Sequence, residues 1–157
     1  MDELELAKAT LEKQRLSLVV VKSSEILFTS RASGVLGLVE AIRICGANLK
    51  GSVVADRVIG KAAALLCAYS GIAAVYAVVL SGPGKKTLED FGILVGHQKL
   101  VPGILNRDRN DMCPFEKLTE KISSPEEGYH SIRHCLCSSG IISVQKHEQS
   151  SPATKRV

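Results

Sequence analysis

Hydrophobic positions follow a helical period and then a strand pattern between residues 52 and 81. The helical positions are Val58, Ala62, Leu65, Leu66 and Tyr69. Asp56 precedes them and is a residue type that caps helices, and Gly71 ends the pattern. The run 72–80 that follows is apolar at every position, which is typical of a strand covered by helices on both faces. We therefore predict a helix capped by Asp56, followed by a buried strand.

Periodic segments elsewhere complete a series of helices and strands. Helices are predicted at residues 2–14, 34–45 and 85–90 and from about Pro114, and strands at residues 17–21, 26–30, 72–80 and 93–96. Four polar residues separate the first two strands, which predicts a hairpin. Residues 97–111 carry no regular pattern. The order predicts an α/β fold with a mixed sheet, an N-terminal antiparallel hairpin, a parallel centre and flanking helices.

The composition changes after residue 122. We expect residues 1–122 to form one folded domain, because every strong periodic segment lies within it. Residues 123–157 are rich in Ser, Glu, His and Gln and lack a sustained apolar period, which predicts a polar, disordered C-terminal extension. Residues 141–144 are the exception, since Ile-Ile-Ser-Val could add a short strand.

Composition and charge exclude several classes of protein. The chain has 157 residues, of which 45% are hydrophobic, and no Trp, so its core is aliphatic. Its longest apolar run is far shorter than the ~20 residues that cross a bilayer, and its acidic N-terminus lacks the basic start of a signal peptide. We therefore predict a cytoplasmic protein that binds no membrane. The net charge of +4 forms no basic stripe, which argues against nucleic acid as a partner.

The turn after the buried strand is a candidate phosphate site. Ser81, Gly82, Gly84 and Lys85 could hold a phosphate through backbone N–H groups and a lysine charge. The turn is not a Walker A loop, because that motif needs a glycine where Val79 stands. A structural turn leading into an exposed basic helix is the favoured alternative.

A second candidate loop spans residues 106–114. Asn106, Arg107 and Asp108 bring amide, guanidinium and carboxylate groups together, as ligand-binding loops often do. The alternative is that Asp111 caps the helix that follows and that the other polar groups are solvated.

The five cysteines divide into three groups. Cys45 and Cys67 lie in apolar helical segments, where free thiols act as small hydrophobic residues. Cys113 lies at a predicted helix start and is a candidate nucleophile, although no histidine lies nearby in sequence to act as its base. Four residues that can bind metals occur within eight positions: His130, His134, Cys135 and Cys137. Their spacing is not that of zinc sites, which favours a chance cluster.

Residues 52–81, together with NRDRNDMCPFEKL at residues 106–118, resemble a small prokaryotic family of unknown function with a cytidine-deaminase-like fold. The resemblance covers roughly residues 4–122. It implies a three-layer α/β/α sandwich, in agreement with the order of predicted elements.

Zinc deaminases need a His or Cys two residues before a Glu at one helix start and a Pro-Cys-x-x-Cys turn at the next. Counted back from Gly71, the first pair of positions falls at Val58 and Gly60, and the second turn has Gly84 and Thr87 in place of its thiolates. None of these four side chains can perform the zinc chemistry. We therefore predict a domain without catalytic zinc or another cofactor.

Asp56, Arg57 and Lys61 form the sharper candidate site, near a helix start that favours anions. In this hypothesis the domain binds a nucleotide or nucleoside-diphosphate sugar. Lys61 and backbone amides hold phosphate, while Asp56 contacts a ribose hydroxyl or attacks an anomeric carbon in glycosyl or ADP-ribosyl chemistry. The alternative for these residues is a helix cap beside a solvated basic face.

Two other classes of function stay open at this point. The domain could be a non-enzymatic module that forms a homo-oligomer through its sheet edge or through the apolar face of residues 34–45. It could also be a thiol enzyme that uses Cys113.

Overall fold

A five-stranded mixed sheet forms the centre of the protein, which we describe from a computed structural model covering residues 2–142. The strands are β1 (Leu18–Lys22), β2 (Glu25–Ser30), β3 (Val53–Ile59), β4 (Ala74–Ser81) and β5 (Leu94–Val101). The helices are α1 (Glu3–Lys13), α2 (Leu36–Cys45), α3 (Lys61–Ser70), α4 (Gly82–Asp90), α5 (Pro114–Thr119) and α6 (Pro125–Ser138), with a 3-10 turn at Gly46–Leu49. The strand order is β2-β1-β3-β4-β5.

The predicted fold class is confirmed. β1 pairs antiparallel with β2 and with β3, whereas β3, β4 and β5 are parallel. Helix α1 packs on one face of the sheet through Ala7 and Leu11, and α2, α3, α4 and α6 contribute to the larger core on the other face. These are the three layers of an α/β/α sandwich.

The prediction that Asp56 caps a helix is wrong. Residues 53–59 form β3, which lies between β1 and β4, and α3 begins only at Lys61 with Gly60 as its N-cap. The local sequence is rich in Val and Ile, which favours a strand, but the adjacent charges of Asp56 and Arg57 hid that pattern. The sheet therefore has a central strand that the sequence pattern did not reveal.

β5 is longer than predicted. It continues to Val101, so residues 97–101 are not irregular. β5 pairs with β4 alone, and most of its side chains are exposed. An edge strand of this kind tolerates polar residues, which explains why its second half lacks a strand pattern.

The predicted disorder after residue 122 does not hold for residues 125–138, which form α6. Tyr129, Ile132 and Leu136 recur at helical spacing and are buried in the larger core. The packed domain therefore extends beyond the predicted boundary. Residues 141 and 142 are not in a strand, and residues 143–157 lie outside the described part. Among residues 2–142, no helix has the length and apolar character to cross a membrane.

Candidate functional site

The starts of α3 and α4 meet at the edge where the parallel strands β3 and β4 end. Ser81 is the N-cap of α4, and its Oγ accepts a hydrogen bond from the Gly84 N–H at 2.9 Å. A Cβ atom added at Gly84 would lie 2.9 Å from the carbonyl carbon of Gly60, too close for a real side chain. The two helix starts therefore pack in direct backbone contact. Such an edge is where open α/β sheets bind ligands.

A carboxylate from α5 occupies the N-terminus of α3. Glu116 Oε1 accepts from the Lys61 N–H at 2.8 Å, and Oε2 accepts from the Ala62 N–H at 2.9 Å. A Cβ atom at Gly60 would overlap this carboxylate, so a side chain there would displace Glu116 from the two amides. The negative charge also complements the positive end of the helix dipole. A phosphate could reach these two amides only if Glu116 left them.

Lys61 also makes a contact through its side chain. Its Nζ donates to the backbone carbonyl of Glu120 at 2.8 Å. A cavity of about 180 Å³ lies beside this contact, with Pro83 on its wall. A second cavity of about 200 Å³, on the α4 side, shares Lys61 and Pro83 with the first. Lys61 therefore stands between two small cavities with its ammonium group already hydrogen-bonded.

Asp56 is a buried carboxyl on the strand that leads to this edge, with only 6% of its surface exposed. Burial raises its pKa to about 8, against the smaller lowering effects of the Val58 and Arg57 N–H groups and the Arg57 charge. Oδ1 accepts from the Val58 N–H at 3.3 Å, and Asp56 makes no salt bridge within residues 2–142. Burial and the nearby Asp56 charge raise the pKa of Cys67. Burial therefore outweighs the groups that favour ionisation of Asp56, although Asp56 lines neither of the two cavities.

Arg57 is committed to a structural role on the α1 side of the sheet. Its Nε donates to the Leu16 carbonyl at 2.8 Å, and a terminal nitrogen donates to the Leu11 carbonyl at 3.1 Å. Successive strand residues point to opposite faces, so Arg57 and Asp56 do not face one ligand. The guanidinium instead fastens the end of α1 to the sheet.

The predicted phosphate turn has structural partners for most of its groups. Ser81 caps α4, and Gly84 packs against Gly60. Lys85 pairs with Glu89 at 2.6 Å along the helix surface. Gly82 is exposed, with open space where a side chain would be. The favoured alternative, a structural turn before a charged helix face, accounts for these contacts without a ligand.

The loop at residues 106–113 is an exposed turn closed by its own groups. Leu105 and Met112 form an isolated antiparallel bridge, and the Asn106 side chain donates to Asn110 Oδ1 at 2.9 Å. Two further predicted ligand-binding residues, Arg107 and Asp108, are exposed in this turn. Asp111 pairs with Lys117 instead of capping α5. Cys113 is the N-cap residue and is half-buried, with no side-chain cap hydrogen bond.

The four deaminase positions and the C-terminal cluster belong to different elements of the fold. Val58 is in β3 and Gly60 precedes α3, whereas Gly84 and Thr87 are in α4. The residues His130, His134, Cys135 and Cys137 all belong to α6. Within residues 2–142, no three His, Cys, Asp or Glu side chains are grouped as a metal site would require. That catalytic zinc is absent stays a prediction.

Lys61 is the one sequence-predicted site residue that lines this cavity, where it is joined by Pro83 and Met112 from the two other candidate segments. That the candidate residues form one ligand site stays a prediction. Sequence reasoning missed Glu116, whose carboxylate acts 55 residues away in the chain. One signal was available. A Glu in the first turn of a helix often bonds back to a Ser or Thr at the N-cap, but the N-cap of α5 is Cys113. The carboxylate of Glu116 is therefore free to bind a group outside its own helix. A glycine before a long apolar helix is a second, weaker signal of an external cap.

This architecture defines a three-layer α/β/α sandwich protein in which a carboxylate from α5 binds the start of α3. Residues 6–136 match the TM1506 family, a domain of unknown function (DUF1893), and the chain belongs to that family. It is similar to the crystal structure of a DUF1893 family protein from Thermotoga maritima, with 33% identity, a TM-score of 0.78, and 85% of this chain and 89% of the other covered.

Lower similarity is found to two other solved structures. RibD from Acinetobacter baumannii, form 2, has 20% identity and a TM-score of 0.46, with 61% of this chain and 33% of that chain covered. The dCMP deaminase of the cyanophage S-TIM5, in its apo form, has 17% identity and a TM-score of 0.44, with 60% of this chain and 93% of that chain covered. No match is found among curated proteins.

Proposed function

We propose that the domain binds a small nucleotide-like ligand, a nucleotide or a nucleoside-diphosphate sugar, through Asp56. The observation that carries this proposal is a carboxyl that is 6% exposed, has no salt bridge within residues 2–142, and has only the Val58 and Arg57 N–H groups and the Arg57 charge to oppose the effect of burial on its pKa. Burying such a group costs folding free energy. Packing needs no acid at this position, so a ligand that uses the carboxyl supplies the reason for keeping it.

The raised pKa defines what Asp56 can do in this role. With a pKa of about 8, the carboxyl is mostly protonated at neutral pH and donates a hydrogen bond to a ligand oxygen, such as a ribose hydroxyl. Glycosyl or ADP-ribosyl transfer would need the ionised form. A carboxylate oxygen would then bond to the anomeric carbon while the bond to the leaving group breaks and the leaving group takes the electron pair. A cationic leaving group would favour that ionisation.

Phosphate recognition in this proposal differs from the sequence hypothesis. The amides of Lys61 and Ala62 hold Glu116, and the Lys61 ammonium holds the Glu120 carbonyl. Ligand phosphates would therefore contact groups that are still open where β3 and β4 end, such as the backbone of Gly82, or would displace Glu116.

Intact-mass spectrometry tests the proposal. Wild type, Asp56→Ala and the matched control Asp111→Ala, which changes an exposed acid, are incubated with a panel of nucleoside-diphosphate sugars and NAD. Native spectra record retained ligand, and denaturing spectra record covalent adducts. We expect wild type and the control to bind the same compound and Asp56→Ala, which has no donor to replace the carboxyl, to lose at least tenfold in affinity. Equal binding by all three proteins would contradict the proposal.

Self-association is a second candidate function, favoured by the exposed edge of β5. Leu94 is 74% exposed and Leu100 is 50% exposed. An antiparallel pair of two β5 strands centred on His97 would place Leu94 of one copy opposite Leu100 of the other. Sedimentation velocity tests this arrangement: the wild type should be a dimer and Leu94→Lys a monomer, whereas a monomeric wild type at 100-fold varied concentrations would exclude it.

A further inference from the structure

We propose that residues 102–122 form a lid over the 180 Å³ cavity and that the Glu116 carboxylate is the latch that keeps the lid closed. This inference does not depend on a role for Asp56. It concerns the contact between α5 and the start of α3, and it assigns a conformational function to that contact.

The cavity lies between the helix starts of the sandwich and the proposed lid. Two of its lining residues, Lys61 and Pro83, belong to the starts of α3 and α4. All the others come from the proposed lid: Pro102, Gly103, Ile104, Met112, Glu116 and Glu120. If the lid swings away, most of the wall of the cavity leaves with it.

The lid is weakly buried but internally connected. None of residues 102–115 is buried, and in the rest of the lid only Glu116, Thr119 and Ile122 are. The first half is closed by the bridge between Leu105 and Met112 and by a hydrogen bond from the Cys113 N–H to the Ile104 carbonyl at 2.9 Å. A segment with few buried contacts and its own hydrogen bonds is of the kind that opens locally as a unit.

Three hydrogen bonds fasten the lid to the first two residues of α3. Glu116 accepts from the Lys61 and Ala62 N–H groups, and Glu120 accepts from the Lys61 ammonium through its carbonyl. The two bonds to Glu116 involve a charged acceptor, which makes them stronger than neutral hydrogen bonds. Short connecting segments lie at the two ends of the lid: Pro102 and Gly103 follow β5, and Ser123 and Ser124 precede α6. These four residues are where we expect the backbone to hinge.

Hydrogen exchange of the full chain, followed by mass spectrometry, tests the latch. The variants are Glu116→Ala, Glu116→Gln and the matched control Glu120→Ala, which removes an acidic side chain nearby but keeps the carbonyl bonded to Lys61. We expect Glu116→Ala to speed exchange of residues 102–122 and of the Lys61 and Ala62 amides by at least tenfold. Exchange in β3 and β4 should stay within twofold of wild type, and the control should behave like wild type.

Two results would overturn the proposal. In the first, the exchange rates of the lid and of β3 in wild type increase with urea concentration to the same extent. The lid would then open only when the whole domain unfolds. The second is unchanged lid exchange in Glu116→Ala. If Glu116→Ala raises exchange throughout the domain, the milder variant Glu116→Gln, which retains one acceptor oxygen, decides between the two explanations. An increase in Glu116→Gln that is confined to the lid supports the latch, and an increase throughout the domain contradicts it.

Discussion

At the scale of single residues, two groups carry the account: the buried acid Asp56 and the glycine at position 60. The sequence marked Asp56 as a candidate but assigned it to a helix cap, because a charged pair inside a central strand resembles a turn. Gly60 was considered only as a replacement for a deaminase glutamate. Its actual role depends on Glu116, 56 positions later, and no local pattern reveals such a contact.

Asp56 should make the protein less stable as the pH rises. Its pKa is raised from 3.8 to about 8 on folding, so between these pH values the folded state holds a proton that the unfolded state has lost. The free energy of unfolding therefore falls from about pH 4 to pH 8, by an amount on the order of 5 kcal/mol at about 1.4 kcal/mol per pKa unit. Urea denaturation across this range should show a much shallower decline for Asp56→Asn than for wild type. Parallel curves would refute the assignment.

Gly60→Ala tests the fit between the α3 start and Glu116. The added methyl would clash with the carboxylate, so we expect a loss of about 1–3 kcal/mol of unfolding free energy, the usual cost of overpacking. Because the two residues share one contact, Gly60→Ala should cost less in a Glu116→Ala background. Urea titrations of the two single variants and the double variant measure this coupling. Additive losses would show that the glycine serves another purpose.

At the scale of elements, the periodic pattern located most helices and strands, but it failed where tertiary contacts replace local signals. β3 was missed because its charged pair interrupts the apolar run. The second half of β5 was missed because an edge strand need not be apolar. Helix α6 was missed because three apolar positions among polar neighbours were too few to stand out from a tail rich in Ser, Glu and His.

Ile132→Ala should show that α6 belongs to the folded domain. Ile132 is completely buried in the larger core, and removing such a side chain costs about 2–5 kcal/mol. The matched control His134→Ala changes an exposed residue of the same helix and should cost less than about 0.5 kcal/mol. Equal thermal melting temperatures for wild type and Ile132→Ala would show that α6 is dispensable.

At the scale of the whole molecule, the three-layer sandwich was within reach of the sequence, because alternating helices and strands specify layers. The strand order was not, because the central strand β3 was missed. The detailed site was not predictable, because the partners of Lys61, Arg57 and Gly84 come from distant parts of the chain. Three residues proposed as ligand contacts therefore have partners within the fold.

The central claim is that Asp56 is a neutral acid in the folded protein and that its carboxyl group binds a ligand. Carbon-13 NMR of side-chain carboxyl groups measures this directly, with Asp56 assigned by its absence in Asp56→Asn. Burial predicts that the Asp56 carboxyl shift titrates with a midpoint of about 8 and is still in its protonated position at pH 6. A midpoint near 4, as for an exposed aspartate, would contradict the account, since Asp56 would then be an ordinary ionised side chain with no unusual chemistry to offer.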